Sequence, residues 1–183
     1  MTVVYFVRHA HSTYSEDEYN RPLSLKGFHD AHRITDRLKN EEIDAVLSSP
    51  YKRAIETVQG IADWNGKQIV IFNELKERTL AEGPLEDFEA AIDHVWDNPS
   101  FALEGGESNL DVQQRALPIF HAILSKYANS QIIIGTHGNI MTLLLNAFDP
   151  SIGLSFWREL KKPDIIKAEF NELKLIGLEK INF

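Results

Sequence analysis

The hydrophobic residues of this chain fall into short, almost continuous runs that alternate with segments of helical periodicity. The runs predict buried strands, because a strand covered on both faces has little room for polar side chains. They cover residues 3–7, 45–47, 69–72 and 132–134. Helices are predicted from apolar positions spaced three and four apart over 25–38, from 49 to about 64, and from 138 to about 148. This alternation favours a three-layer α/β/α sandwich with a mostly parallel sheet.

Particular residues predict where several of these elements begin or are interrupted. Ser49 and the proline after it predict the start of the second helix, with the serine as N-cap and the proline at the first helical position. Pro118 lies inside the periodic segment 110–127, so we expect either a kink or a separate first turn there. Near the C-terminus, residues 164–170 and 173–181 predict a hairpin that adds antiparallel strands to the sheet edge.

Composition narrows the class of protein. A chain of 183 residues, 43% hydrophobic and 25% charged, fits one soluble globular domain over 1–183. The absence of cysteine excludes disulfides and thiolate metal sites, and no apolar run approaches the ~18 residues of a membrane span. With no recognisable signal peptide, these features favour a cytoplasmic protein. The net charge of −8 argues against a nucleic-acid partner, which would require a basic face. The oligomeric state stays open.

Polar residues follow three of the four predicted strands. Arg8 and His9 come directly after the first, Arg53 lies one turn into the helix after the second, and His137 and Asn139 follow the fourth. Ligands of open α/β sheets bind at the carboxyl ends of the strands, so these side chains are expected to meet. Two arginines and two histidines would form a cationic pocket, and guanidinium donors are suited to the oxygens of a phosphoryl group.

A metal site is the alternative for the same histidines. His9 and His11 project to one face of an extended segment, and His137 could complete a three-histidine zinc site. Metal-dependent hydrolases with this motif use an eight-stranded barrel, for which the chain is too short. Arg8 would also repel a divalent cation. We therefore expect a site without metal.

The residues after the first strand also carry a family resemblance. Residues 8–12, Arg-His-Ala-His-Ser, resemble the Arg-His-Gly-Glu-Ser/Thr signature of the histidine phosphatase superfamily, which includes the cofactor-dependent phosphoglycerate mutases. Departures from the family pattern at Ala10, His11 and Ser15 concern the class of substrate rather than the phosphoryl pocket. Five further blocks resemble family motifs in the same order, at residues 22–27, 48–57, 75–78, 106–108 and 136–139.

The resemblance implies a catalytic mechanism and the residues that carry it. His9 would attack phosphorus as a neutral imidazole and form a phosphohistidine that water later hydrolyses. Arg8, Arg53 and His137 would hold the phosphoryl oxygens and stabilise the charge that develops on them. Glu77 would protonate the leaving oxygen and then activate the water. The arginines are expected to lower the pKa of His9.

Other residues near these motifs are expected to support the site. His11, Ser12, Arg21 and Asn139 are candidates for contacts with the substrate or with the residues that hold it. Glu74 and Glu82 are close rivals of Glu77 for the role of proton donor, since all three follow the third predicted strand. No cofactor is expected.

The predicted function is therefore that of a metal-independent phosphomonoesterase of the histidine acid phosphatase type, acting on a small phosphorylated metabolite. One alternative is a phosphotransferase of the phosphoglycerate mutase type. Another is a regulatory module that binds phosphate without turnover, although binding alone would not need Glu77. We expect the partner to be a small-molecule phosphomonoester, with no nucleic acid and no membrane involved.

Segment 78–107 interrupts the alternation of strands and helices. We expect residues 78–108 to form a small cap over the active site. The segment contains one basic residue, Arg78, and eight acidic residues, so its net charge is −7. If these acids line the pocket, they disfavour bisphosphates and phosphorylated carboxylic acids as substrates. The acids are Glu82, Glu86, Asp87, Glu89, Asp93, Asp97, Glu104 and Glu107.

Overall fold

The computed structural model describes residues 1–183 and contains one six-stranded sheet with the strand order β3-β2-β4-β1-β5-β6. β1 to β4 are parallel, whereas β5 pairs antiparallel with β1, and β6 antiparallel with β5. This confirms the predicted α/β class and the C-terminal hairpin. The strands are β1 Thr2–Arg8, β2 Ala45–Ser48, β3 Ile69–Ile71, β4 Gln131–Thr136, β5 Asp164–Asn171 and β6 Lys174–Ile181.

Six α-helices cover the sheet. α1 has the predicted bounds, whereas α6 was not predicted, because six residues are too few to show a helical period. None of the helices has the length and apolar character that a bilayer crossing requires. The helices are α1 Leu25–Leu38, α2 Lys52–Trp64, α3 Phe88–Asp97, α4 Asn109–Lys126, α5 Gly138–Asn146 and α6 Leu154–Glu159.

Alternation along the central strands divides the core into two parts. Val4 and Phe6 of β1 pack in the larger cluster with residues of α4 and α5, whereas Val3, Tyr5 and Val7 pack in the smaller one with residues of α1 and α2. Successive side chains of a strand point to opposite faces, so both faces of β1 are covered by helices. This arrangement explains why the run 3–7 is apolar at nearly every position.

The start of α2 differs from the prediction. The helix begins at Lys52, and its N-cap is Tyr51, which makes no side-chain capping bond. Ser49 is therefore not the N-cap, and Pro50 is not the first helical residue. The Ser49 hydroxyl instead lies 2.7 Å from Nε2 of His137, which is 88 residues away in the chain. Because this contact leaves no signal in the local sequence, the Ser-Pro pattern predicts a start of α2 that is two to three residues too early.

Helix α4 is continuous through Pro118, so its first turn is not separate. Proline lacks an amide hydrogen, and the bond that residue 118 would make to the carbonyl of residue 114 is absent. The helix is held on both sides of this gap by buried Val112 and Phe120, and Ser108 begins it with a reciprocal capping box with Asp111. Packing therefore overrides the local preference of proline for a break.

Segment 78–107 leads from the residues after β3 to the start of α4, and its two ends lie close together. The amide of Glu82 donates to the carbonyl of Glu104 at 2.9 Å, and the amide of Glu107 donates to the carbonyl of Thr79 at 2.8 Å. These two bonds join the ends of the segment. Between them, α3 buries Ile92 and Val95.

Candidate active site

The sheet topology brings the predicted residues together. β4 lies between β1 and β2, and the register pairs Arg8 with Thr136 and Ser48 with Gly135. The residues that follow these strands therefore emerge side by side at the carboxyl edge. The rings of His9 and His137 lie edge to face with their centroids 5.2 Å apart. His9 is 6% exposed and His137 is fully buried.

His9 has the geometry of a neutral nucleophile. Its Nδ1 lies 2.7 Å from the carbonyl oxygen of Ala10, so Nδ1 carries the proton and Nε2 keeps its lone pair. Burial, followed by the charge of Arg53, lowers the pKa of His9 to about 3. The expectation that arginines lower this pKa is therefore correct, but burial contributes more than they do. At neutral pH the ring is uncharged.

The two arginines are buried, and each is held by a backbone carbonyl. Arg8 donates through Nη1 to the carbonyl of Leu160 at 2.8 Å, and Arg53 donates through Nη1 to the carbonyl of Glu18 at 2.9 Å. The Arg53 guanidinium also lies 4.6 Å from the ring centre of Tyr51. These contacts fix the orientation of both side chains beside the two histidines.

Several buried side-chain nitrogens in this region have no hydrogen-bond partner in the protein. They are Nε of Arg8, Nε of Arg53, Nε of Arg78, Nε1 of Trp157 and Nδ1 of His137. A buried donor without a partner costs free energy, on the order of 1–3 kcal/mol for a neutral group and more for a charged one. A ligand that carries several acceptor oxygens and negative charge would pair with these groups. The arrangement is therefore suited to an oxyanion.

Glu77 lies at the N-terminus of α5. Its Oε1 accepts hydrogen bonds from the amides of Arg78 and Ile140, both at 2.9 Å, and its Oε2 accepts one from the amide of Asn139 at 3.1 Å. Oε2 therefore accepts one backbone hydrogen bond fewer than Oε1. The carboxylate is held by three backbone groups and is half-buried.

Glu77 also lines a cavity of about 250 Å³. One wall is Tyr51, whose ring contacts that of His137 edge to face with the centroids 5.0 Å apart. The rivals Glu74 and Glu82 do not line this cavity. Its lining residues are Glu18, Tyr51, Glu77, Arg78, Thr79, Leu80 and Ala81.

The remaining predicted residues differ in their relation to the site. Asn139 accepts a hydrogen bond from Arg78 Nη2 at 3.1 Å and thereby contacts the lining of the cavity. Arg21 donates to the carbonyl of Ser15 at 2.9 Å and forms an ion pair with Glu18. Ser12 forms an isolated backbone bridge with Leu23.

The three-histidine metal site is not assembled. His11 is exposed, and its Nδ1 lies 2.8 Å from the hydroxyl of Ser24. His9 and His137 therefore meet without it. No group of three or more histidine, aspartate or glutamate side chains is arranged to hold a metal ion.

Sequence reasoning missed the partner of Arg53. The carboxylate of Glu18 lies 3.0 Å from Arg53 Nη2, although Glu18 is itself half exposed. Glu18 belongs to the acidic run 16–18, which looks like an ordinary solvated loop. Only the path of the loop after β1 brings it to the arginine.

Lys162 is a second missed residue. It forms no ion pair, yet its charge helps to lower the pKa of both His9 and His137. Although Lys162 is exposed, partial desolvation and then the charge of Arg8 lower the pKa of its own ammonium group. It lies two residues after Leu160, whose carbonyl holds Arg8, and no motif marks it in the sequence.

The acids of segment 78–107 do not line the cavity, contrary to the assumption made from their number. Glu107 pairs with Arg115 at 2.6 Å, and Arg158 contacts both Glu89 and Asp93. The other five acids are exposed. Charge at the cavity itself therefore comes from Glu18, Glu77 and Arg78, which the net balance of the segment does not reveal.

Comparison with known proteins identifies the family. Residues 4–174 match the sequence model of the histidine phosphatase superfamily, branch 1. The chain belongs to this superfamily. The match spans nearly the whole sheet and includes every residue of the site described above, which confirms the resemblance found in the motifs.

Individual relatives of this histidine phosphatase are distant. It is 25% identical to a putative phosphoserine phosphatase 2 of Hydrogenobacter thermophilus, over 79% of this chain and 77% of the relative. It is 28% identical to a phosphoglycerate mutase-like protein 4 of Arabidopsis thaliana, over 86% of this chain and 70% of the relative. The solved structure of Bacillus stearothermophilus YhfR matches with a TM-score of 0.79 and 26% identity, covering 96% of this chain and 95% of the other.

Proposed function

We propose that this histidine phosphatase is a metal-independent phosphomonoesterase that acts through a phosphohistidine at His9. One observation carries the proposal. A buried, neutral imidazole with a free Nε2 lone pair lies beside buried arginine and histidine donors that have no acceptor. A phosphoryl group supplies the electrophilic phosphorus that the imidazole attacks and the oxygens that the buried donors bind.

The first step forms the phosphoenzyme. His9 Nε2 attacks phosphorus, and the bond from phosphorus to the ester oxygen breaks with its electron pair on that oxygen. Glu77 donates a proton to the leaving alcohol, in the role of general acid. Arg8, Arg53 and Nδ1 of His137 donate hydrogen bonds to the phosphoryl oxygens and stabilise the charge on them.

The second step restores the enzyme. Water attacks phosphorus, Glu77 accepts a proton from it, and the bond from phosphorus to His9 Nε2 breaks. Inorganic phosphate leaves, and His9 returns to its neutral form. In this scheme Arg21, Asn139 and Ser12 contact and orient the bound ester. Residues 78–108 act as a cap, because Thr79, Leu80 and Ala81 line the cavity.

The decisive experiment compares His9→Ala with His11→Ala. We expect His9→Ala to abolish hydrolysis of a phosphomonoester, because no other buried imidazole has Nε2 free, and to keep its circular dichroism spectrum. His11→Ala is the matched control, since His11 is exposed and its ring is hydrogen-bonded to the Ser24 side chain. Rapid acid-free quenching of the unaltered enzyme should trap a phosphoenzyme that is stable to base and labile to acid. More than a tenth of the activity in His9→Ala would refute the nucleophile.

A phosphotransferase of the mutase type is the second candidate. It is favoured by Lys162, a cation near the site that forms no ion pair, and by the relative named as mutase-like. A mutase holds substrates with several negative charges, and extra cations would serve that purpose. Rates of hydrolysis and of isomerisation of 3-phosphoglycerate, measured side by side, distinguish the two activities.

A further inference from the structure

Two adjacent serines with fully buried side chains lie at the end of β2, Ser48 as its last residue and Ser49 directly after it. Ser48 and Ser49 are both 0% exposed. Their hydroxyls have different partners. Ser48 Oγ donates to the carbonyl of Gly135 at 3.4 Å, whereas Ser49 Oγ lies 2.7 Å from Nε2 of His137. The contact of Ser49 is short and joins it to a residue of the candidate active site.

The hydrogen bonds of Ser49 determine which way this contact runs. The amide of Tyr51 donates to Ser49 Oγ at 3.4 Å, so one lone pair of the hydroxyl oxygen faces a donor. The Ser49 oxygen could also accept a hydrogen bond from His137, but the buried hydroxyl hydrogen would then have no acceptor, since its one short neighbour is Nε2 of His137. A hydroxyl can donate one hydrogen bond while it accepts another. We therefore assign Ser49 as the donor and His137 Nε2 as the acceptor.

This direction fixes the tautomer of His137. Burial, and then the charges of His9 and Arg53, hold the pKa of His137 well below its usual value, so the ring has a single N–H. When Nε2 accepts a hydrogen bond, that N–H must be on Nδ1. Nδ1 is buried and has no partner in the protein. In the opposite tautomer, its lone pair would face the oxygens of a bound oxyanion and repel them.

We propose that Ser49 is a positioning residue that holds His137 as the Nδ1–H tautomer, so that this ring donates a hydrogen bond to the phosphoryl group. This inference rests on the proposed phosphatase function. Ser49 does not touch the reacting atoms and acts only through the imidazole.

The direct test is ¹⁵N NMR of histidine-labelled protein. We expect Nδ1 of His137 to give a protonated, pyrrole-type signal and Nε2 a pyridine-type signal, with the resonances assigned through His137→Gln. In Ser49→Ala the ring loses its donor, so a mixture of tautomers should appear. In Ser48→Ala, which removes a neighbouring hydroxyl of equal burial, the signals should stay unchanged.

The kinetic test uses the same variants. Removal of one preorganised donor typically costs about 10²–10³ in kcat; because only the tautomer balance changes here, we expect Ser49→Ala to lower kcat/KM by about 10- to 100-fold. Ser48→Ala should stay within about threefold of the unaltered enzyme, and Ser49→Thr, which keeps a hydroxyl, should recover most of the activity.

Three results would overturn the inference. They are an Nε2–H tautomer in the unaltered protein, a pure Nδ1–H tautomer in Ser49→Ala, or equal kinetics for Ser49→Ala and Ser48→Ala. The first needs no variant, so it decides the matter even if Ser49→Ala does not fold. If the unaltered protein hydrolysed no phosphomonoester, the proposed function would fail by itself, while the NMR comparison would still test the link between Ser49 and His137.

Discussion

At the scale of single residues, the burial that keeps His9 uncharged also affects folding. Burial and then Arg53 lower the pKa of His9 to about 3, and burial and then His9 lower the pKa of His137. An unfolded histidine titrates near 6.5. Between these values the unfolded chain binds more protons than the folded one, so stability rises with pH and is lost as the pH falls.

This linkage predicts a stability profile. Between pH 7 and pH 5, protonation of the unfolded chain at His9 should remove about 2 kcal/mol from the free energy of unfolding. In His9→Gln, the free energy of unfolding should therefore fall by about 2 kcal/mol less between pH 7 and pH 5 than in the unaltered protein. The measurement is urea unfolding of both proteins at pH 7, 6 and 5. Parallel profiles for the two proteins would show that His9 is not buried in its neutral form.

In the proposed mechanism, Glu77 differs from His9 in that its contribution to the rate depends on the leaving group. A general acid matters when the departing oxygen is a strong base and matters little when it is a weak one. We predict that Glu77→Gln lowers kcat/KM at least about 100-fold for an alkyl phosphate but far less for p-nitrophenyl phosphate. Glu74→Gln and Glu82→Gln, the former rivals, serve as controls. Equal losses on both substrates would assign Glu77 a structural role at the N-terminus of α5.

At the scale of elements, α1 packs directly on the loop that follows β1. Gly27 lies in the first turn of α1, and a Cβ atom there would stand 2.0 Å from the carbonyl oxygen of His11. The amide of Ser24 also donates to this carbonyl at 3.0 Å. The glycine of the 22–27 motif is thus needed for the close approach of helix and loop, two residues from His9.

We predict that Gly27→Ala destabilises the fold by about 1–3 kcal/mol, because the helix and the loop must separate to admit the methyl group. Gly153→Ala is the matched control, since a Cβ there would meet only a Trp96 ring carbon at 4.0 Å. Denaturant unfolding of the two variants gives the comparison. A loss in Gly27→Ala no larger than that in Gly153→Ala would contradict this explanation of the motif.

At the scale of the whole molecule, charge is distributed so that the net value of −8 says little about the pocket. The acids of segment 78–107 point to solvent or pair with Arg115 and Arg158. The cavity itself is lined by two carboxylates, Glu18 and Glu77, and by Arg78, which is already bonded to two asparagines. With Glu77 in the protonated form that the proposed first step needs, the charges of Glu18 and Arg78 balance, so the lining offers an anionic leaving group no net positive charge.

We accordingly predict that monophosphates with neutral, cationic or apolar leaving groups are better substrates than bisphosphates and phosphorylated carboxylic acids. The comparison is kcat/KM at low salt for 3-phosphoglycerate and for an aryl or alcohol monophosphate, with and without added bisphosphate. Glu18→Gln should reduce the difference in kcat/KM between the two substrates, since it removes the more exposed of the two carboxylates. Faster isomerisation than hydrolysis of 3-phosphoglycerate would favour the mutase instead.

The sequence by itself determined the strands, the bounds of α1, the α/β class and the family. These properties depend on local patterns, because apolar runs, helical spacing and strand-end motifs are each contained within a few residues. Arg8, His9, Arg53 and His137 could be named as one group for the same reason, since parallel strands deliver their carboxyl ends to one edge.

Only the tertiary structure decided what these residues contact. Ser49 contacts His137, which is 88 residues away in the chain, and Glu18 contacts Arg53, which is 35 residues away. Glu77 binds the first amides of α5, which are 62 and 63 residues away. Such pairs depend on the order of the strands and on the path of the loops, and neither leaves a periodic trace in the chain. The direction of the acids of segment 78–107 was undetermined for the same reason: charge is counted along the sequence, but its effect depends on distance and burial in space.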